Sequence, residues 1–365
     1  MSYIHPTRPA ALNFYAGPEA FKHIQRHGLR AEDIDLLPGA AGGPKGIGIQ
    51  GLDHAIFHDF LPRVPKRRTV IGASIGSWRF ASILAHGALE GTARLAEAYT
   101  HLSFQPKMTY QAVSAVCETM LESLIQGHEQ CIVEHPDYHF AIVSAKAKHI
   151  FQSDRKWALL AALAGVVGAN SIHRKHLNLM MQRVISQPSP DSQLDFNDGL
   201  ETLHQTLDAE NLTAWLMASA SIPAAMAGVK DIPSAPTGVY RDGGLIDYHF
   251  DMPFKTQGLV LYPHFTHHVT PGWFDKLLPH RKTKSFYQNR TLLVAPSNDY
   301  LASLPLGRLP DRKDFSLKGL SNHERIRLWT QSVAESQRLR DEFLTRVERQ
   351  DLEAYLQPIR GLQSP

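Results

Sequence analysis

Between Ile34 and His86 the chain twice repeats one local order: an apolar extended run, a glycine turn, then a helical period. Ile34 to Leu37 reads as a buried strand that ends at Pro38-Gly39. From Gly46 to Leu61 the apolar residues Ile49, Leu52, Ile56, Phe57 and Phe60 recur with helical spacing. Thr69 to Ala73 is a second, β-branched strand, and Ser77 to His86 begins a second helix. Strand–turn–helix in tandem buries its apolar faces as a parallel sheet covered by helices. The predicted fold class is therefore α/β.

The rest of the chain extends this pattern. Glu19 to His27 reads as a short helix after Gly17-Pro18, and residues 90–130 are mostly helical. Phe140 to Ala145 is a strand. Lys156 to Val184 reads as helical until a break at Gln187-Pro188-Ser189-Pro190-Asp191. Leu212 to Ser219 is a buried helix, and Gly258 to Tyr262 and Thr291 to Ala295 are buried strands. Ser321 has capping-box spacing to Glu324 and opens a long amphipathic helix with Ile326, Trp329, Val333, Phe343 and Val347 on its apolar face. No internal repeat or low-complexity linker interrupts the 365 residues. The simplest organisation is one α/β domain over residues 30–300, with a helical extension, 301–365, packed on it.

Three glycine turns carry the chemistry. Ser74 stands in Gly72-Ala73-Ser74-Ile75-Gly76, directly between a strand and a helix. Such a turn forces the serine into a strained, exposed conformation at a helix N-terminus, where partial positive charge favours an anionic intermediate. A spectator serine in a strand-to-helix turn is the competing reading. Upstream lies Gly42-Gly43-Pro44-Lys45-Gly46. Its backbone N–H groups can point at an oxyanion, Gly42 and Gly43 above all, because Pro44 has none. A phosphate loop is the rival reading, but Gly46 and Ile47 follow Lys45 where that motif needs Lys-Ser/Thr. Downstream, Asp242-Gly243-Gly244 offers a carboxylate in a tight turn.

These motifs, in this order, resemble the patatin-like phospholipase family. Ala218-Ser219-Ala220-Ser221-Ile222-Pro223 is similar to a stretch that family carries shortly before its aspartate. The resemblance spans about residues 34 to 253. It implies a three-layer α/β/α sandwich and a Ser–Asp dyad without a cofactor or metal. Ser74 would attack an acyl ester and Asp242 would take its proton. Gly42 and Gly43 would hold the oxyanion, and Lys45 corresponds to a supporting basic position. The implied substrates are glycerolipids and simple esters. Two positions depart from the family pattern. Ala41 replaces a frequent glycine, and Asp247 replaces a frequent asparagine, which would leave an extra charge near the dyad. A Ser74–His249–Asp242 triad is the rival mechanism. A non-catalytic lipid-binding protein on the same fold is the rival function.

Weaker signals bound the setting. Hydrophobic residues make up 43% and charged residues 20% of the chain, with a formal net charge of +3. No basic stripe interleaved with aromatics accompanies that charge, so nucleic acid is not an expected partner. The N-terminus lacks the pattern of a signal peptide, and two cysteines, Cys117 and Cys131, fit a reducing compartment, so a cytoplasmic location is expected. Residues 157–169 form an apolar run flanked by Arg155-Lys156 and Arg174-Lys175. Without a polar face it reads first as a buried core helix, and second as a lid or peripheral membrane contact. His264, His267 and His268, like His135 and His139, read as solvated loop residues. Lys66-Arg67-Arg68 reads as a solvated lead-in to a strand.

Overall fold

The computed structural model describes residues 9–278 and 280–359. Ten strands form one mixed sheet. They are β1 (Leu12–Ala16), β2 (Ile34–Gly39), β3 (Arg68–Ala73), β4 (Tyr138–Ala147), β5 (Met181–Gln187), β6 (Thr202–Thr206), β7 (Val239–Asp242), β8 (Leu259–Pro263), β9 (Thr291–Pro296) and β10 (Leu356–Pro358). Their order is β10-β1-β9-β8-β2-β3-β4-β5-β6, with β7 also paired to β4. Six pairings are parallel and three antiparallel. Helices cover both faces, which makes a three-layer α/β/α sandwich. Alternation along the central strands separates the two interfaces. Val70, Phe140 and Ile142 join one core cluster, while Ile71, Ala73, Ala141 and Val143 join another.

The two strand–turn–helix units of the sequence form as expected, with one difference in pitch. From Gly43 to Phe60 the chain runs through a 3₁₀ segment (Gly43–Ile49), one α turn (Gln50–Asp53) and a π segment (His54–Phe60). All five residues of the expected apolar face are buried there. The second helix, Ile75–His86, starts directly after Ser74.

Several expectations are corrected. The helix expected over Lys156 to Val184 ends at Ile172, and Met181–Gln187 is strand β5. Its buried Arg183 pairs with Asp247 and Asp198 instead of facing water. Helix 156–172 is not a core helix. Ala158, Leu159, Ala162 and Val166 are buried, but Trp157, Leu160 and Ile172 stand in solvent. The long helix from Ser321 breaks at Ser336 into Asn322–Glu335 and Gln337–Arg349, and the capping box at its start is present. Gly51 lies so close to the Ser336 carbonyl that a Cβ there would stand 1.9 Å from its oxygen. Its amide donates to Ser336 Oγ at 3.0 Å. His139 and His264 are buried rather than solvated, and so is Arg68, which donates to the Ala31 carbonyl.

Both ends of the described chain enter the sheet. β1 pairs with β9 on one side and with β10 on the other. The Glu342 carboxylate, on the last helix, accepts from the amides of Ala11 and Leu12.

Candidate active site

β4 is the longest strand, and two strands meet head-on along one of its edges. β3 runs parallel to β4 and ends with Ala73 opposite Val143. β7 runs antiparallel and ends with Asp242 opposite Ser144. β5 occupies the other edge. Consecutive residues of one strand thus bring the residue before Ser74 and Asp242 itself to a common point.

The turns at that point demand glycine. Ser74 has φ 55° and ψ −127°, a strained conformation held by its surroundings. A Cβ on Gly72 would lie 2.4 Å from Ser77 N, and one on Gly76 would lie 1.8 Å from the Gly39 carbonyl oxygen. The Ser74 N–H donates to Ser219 Oγ at 2.9 Å, and Ser219 Oγ donates to the Val143 carbonyl at 2.6 Å. Ser77 Oγ donates to the Ser74 carbonyl at 2.7 Å. Helix Leu212–Ala220 thereby braces the turn from outside.

Asp242 Oδ1 accepts from the Gly244 N–H at 2.7 Å. The Ser74 hydroxyl faces the same carboxylate and favours its ionised form. That contact is looser than an aligned hydrogen bond, and such contacts tighten when substrate binds. Burial pushes Asp242 up to about 6, against the opposing pull of Ser74, the Gly244 amide, Arg312 and Lys276. Ser74 is 7% and Asp242 6% exposed, so the pair is nearly closed to bulk water. Arg241 anchors β7 beside them, donating to the Phe151 carbonyl and to Asp154.

The first glycine turn packs against the residues that follow Ser74 and Asp242. A Cβ on Gly46 would meet Ile75 at 2.9 Å, and one on Gly42 would meet the Phe265 ring at 2.4 Å. Gly43 has φ 58°, a left-handed conformation that suits glycine. It opens a 3₁₀ segment, and the first N–H groups of a helical segment have no internal partner. The Ile75 amide is in the same position at the start of its helix. Ala41 fits because its neighbour is a glycine: a Cβ on Gly244 would stand 2.7 Å from the Ala41 methyl.

The other expected residues have partners of their own. Lys45 is ion-paired with Asp311. Asp247 is fully buried and held by Arg183 at 2.6 Å and Arg174 at 3.2 Å, so its charge is compensated. His249 Nδ1 accepts from the Thr270 N–H at 3.0 Å, and its ring stacks on Tyr248 and abuts His264. Among the described hydrogen bonds none joins His249 to Ser74 or Asp242. Burial holds His249 well below the ordinary histidine range, with His264 and His268 adding to the effect.

Two site features escaped the sequence. Ser219 was visible only as part of an Ala-Ser stretch, with no sign that it holds the Ser74 amide. Lys276 has its ammonium 3.7 Å from the Tyr248 ring centroid. The residue is exposed, but desolvation of its ammonium and repulsion from Lys45 and Arg312 lower it to about 8. No local spacing in the sequence ties it to Asp242. A polar cleft of about 320 Å³, lined by Arg67, Arg68, His139 and Asp191 among others, lies at the opposite ends of β3 and β4 from Ser74.

Among the described residues, no helix is long and apolar enough to cross a membrane. No family model matches the chain, and no curated protein matches it.

Proposed function

We propose that this chain is a serine acyl hydrolase of carboxylic esters, glycerolipid esters included. The observation that carries the reading is the head-on meeting of β3 and β7 on β4. It sets a strained serine against a buried carboxylate beneath a glycine turn.

In this reading Asp242, more basic than a free aspartate, accepts the Ser74 proton as Oγ attacks the ester carbonyl. The amides of Gly42, Gly43 and Ile75 hold the oxyanion. Asp242 returns the proton to the leaving alcohol, and water then releases the acid from the acyl-enzyme. The chain's own contribution is preorganisation: glycines that let three turns converge, Ser219 on the nucleophile's amide, and the positive field of Lys276 and Arg312. The free thiols Cys117 and Cys131 fit action in the cytoplasm.

The test is intact mass after exposure to a fluorophosphonate probe. A single adduct on wild type, absent from Ser74→Ala and slowed in Asp242→Asn, is expected. Folded wild type without an adduct would sink the reading and leave a lipid binder without turnover.

A further inference from the structure

Helix Lys156–Ile172 turns its apolar residues both ways. Opposite its buried side stand Trp157, Leu160, Val167 and Ile172, with exposures of 64%, 56%, 37% and 76%. The helix carries no charged residue after Lys156. Its length is about 25 Å at 1.5 Å per residue, so this is an extended apolar face and not a stray side chain.

A second segment docks at its C-terminal end. Asn170 Nδ2 donates to Asp275 Oδ1 at 2.7 Å, and Arg281 donates to the Asn170 side-chain and main-chain oxygens. That segment adds Leu277 and Phe286, 64% and 55% exposed. It also carries Lys276, whose ammonium lies over Tyr248 within the field of Asp242. The apolar surface and the cation that acts on Asp242 therefore share one loop.

Buried Asp275 is ion-paired with Arg174 and Arg281, and the exposed charge of the two segments is positive. No acidic residue occurs from Arg155 to Pro190 or from Lys276 to Asn298. Arg155, Lys156, Lys175, Lys282 and Lys284 are exposed. None of these five has an ion-pair partner among the described residues. Exposed apolar side chains between unpaired cations match an anionic lipid surface, tails to the one and headgroups to the other. A second copy of the chain fits worse, because a two-fold contact through this face would oppose the same cations.

We propose that the face formed by helix Lys156–Ile172 and residues 273–286 seats on an anionic lipid surface. The binding stands on its own observations; its use, the delivery of lipid esters to Ser74, rests on the hydrolase reading.

The test is flotation of the full chain with phosphatidylcholine vesicles, with and without phosphatidylserine. Binding to the phosphatidylserine vesicles is expected, weakened by salt. It should fall about tenfold or more in Leu160→Asp and in Lys282→Glu/Lys284→Glu, with melting temperatures unchanged. Brominated lipid should quench tryptophan fluorescence less in Trp157→Ala than in wild type. Absence of wild-type binding, or binding untouched by Leu160→Asp, would overturn the proposal. So would self-association abolished by Leu160→Asp in a chain that ignores vesicles. Fluorophosphonate labelling separates the two readings. Vesicle binding without Ser74 labelling removes the hydrolase and keeps the docking face; labelling without vesicle binding does the reverse.

Discussion

Ser219 holds the backbone of Ser74: its hydroxyl oxygen accepts the Ser74 amide while its proton goes to the Val143 carbonyl on β4. A residue that never touches the reacting atoms thus fixes the turn on which the nucleophile sits. Ser219→Ala leaves a buried amide and a buried carbonyl without that partner, at a cost of about 1–3 kcal/mol. Fluorophosphonate labelling of Ser74 is expected to slow about 10²-fold as the turn relaxes. Wild-type labelling in Ser219→Ala would show that the strand and helix alone set the geometry.

The raised pKa of Asp242 gives a pH profile with a definite sign. A base works only when ionised, so kcat/KM for a soluble ester should rise through about pH 6 and level off above it. Lys276 favours the carboxylate, so Lys276→Met should move the rise to higher pH. An unmoved profile in that variant would remove Lys276 from the field of the dyad.

The triad alternative makes a different prediction at His249. His249→Gln keeps an acceptor for the Thr270 amide, and labelling of Ser74 should stay within about tenfold of wild type, far from the ~10⁴-fold of a triad lesion. Stability supplies a second readout. The folded state holds His249 neutral, so wild type binds fewer protons than its unfolded chain and loses stability as pH falls below about 6.5. Glutamine does not titrate. The variant should therefore gain on wild type in chemical denaturation between pH 7 and pH 5.

Gly244 and Ala41 form a matched pair. Gly244→Ala puts a Cβ 2.7 Å from the Ala41 methyl and 2.9 Å from Asp242 Oδ1. Labelling should fall about 10²-fold through displacement of the carboxylate. Adding Ala41→Gly should restore part of it. A double variant no better than the single would place the damage wholly at Asp242.

Asp247 and Arg183 are tied by a buried ion pair that also engages Asp198. Arg183→Met should cost about 3–5 kcal/mol in urea denaturation, because buried Asp198 loses its ion-pair partner and buried Asp247 keeps only Arg174. Replacing Asp247 with leucine in the same chain should return part of that loss. A neutral single variant would mean that solvent reaches the cluster.

The paired strand–turn–helix units, Ser74, Asp242 and the two glycine turns were legible because local chemistry dictates them. Apolar runs of β-branched residues stop at glycines, and only glycine fits where backbones approach this closely. What escaped was set by distant partners. β1 and β10 are short: β1 is a strand because the distant β9 lies beside it, and β10 because β1 does. β5 continues an apolar run that periodicity assigns to a helix, and its buried Arg183 looks like a surface residue until Asp247 and Asp198 are seen around it. β7 has four residues, and nothing local marks Val239–Asp242 as the piece that completes the edge of β4. The half-exposed helix 156–172 defeated the rule that an all-apolar helix is buried, since only one of its sides packs against the rest of the chain.

The parallel pairing of β1 with β10 joins the two ends of the described chain within one sheet edge. β1 lies four strand positions from β3, about 19 Å at the spacing of neighbouring strands. Chain continuity is therefore not what holds the dyad together. A connection long enough to cross back along the sheet, as a parallel pair requires, could close the described ends into a ring, and the ring could be reopened at the exposed Ser189-Pro190 loop after β5. In such a circular permutant β3, β7 and β4 would still meet, and the order of the motifs along the chain would become an accident of where it was cut.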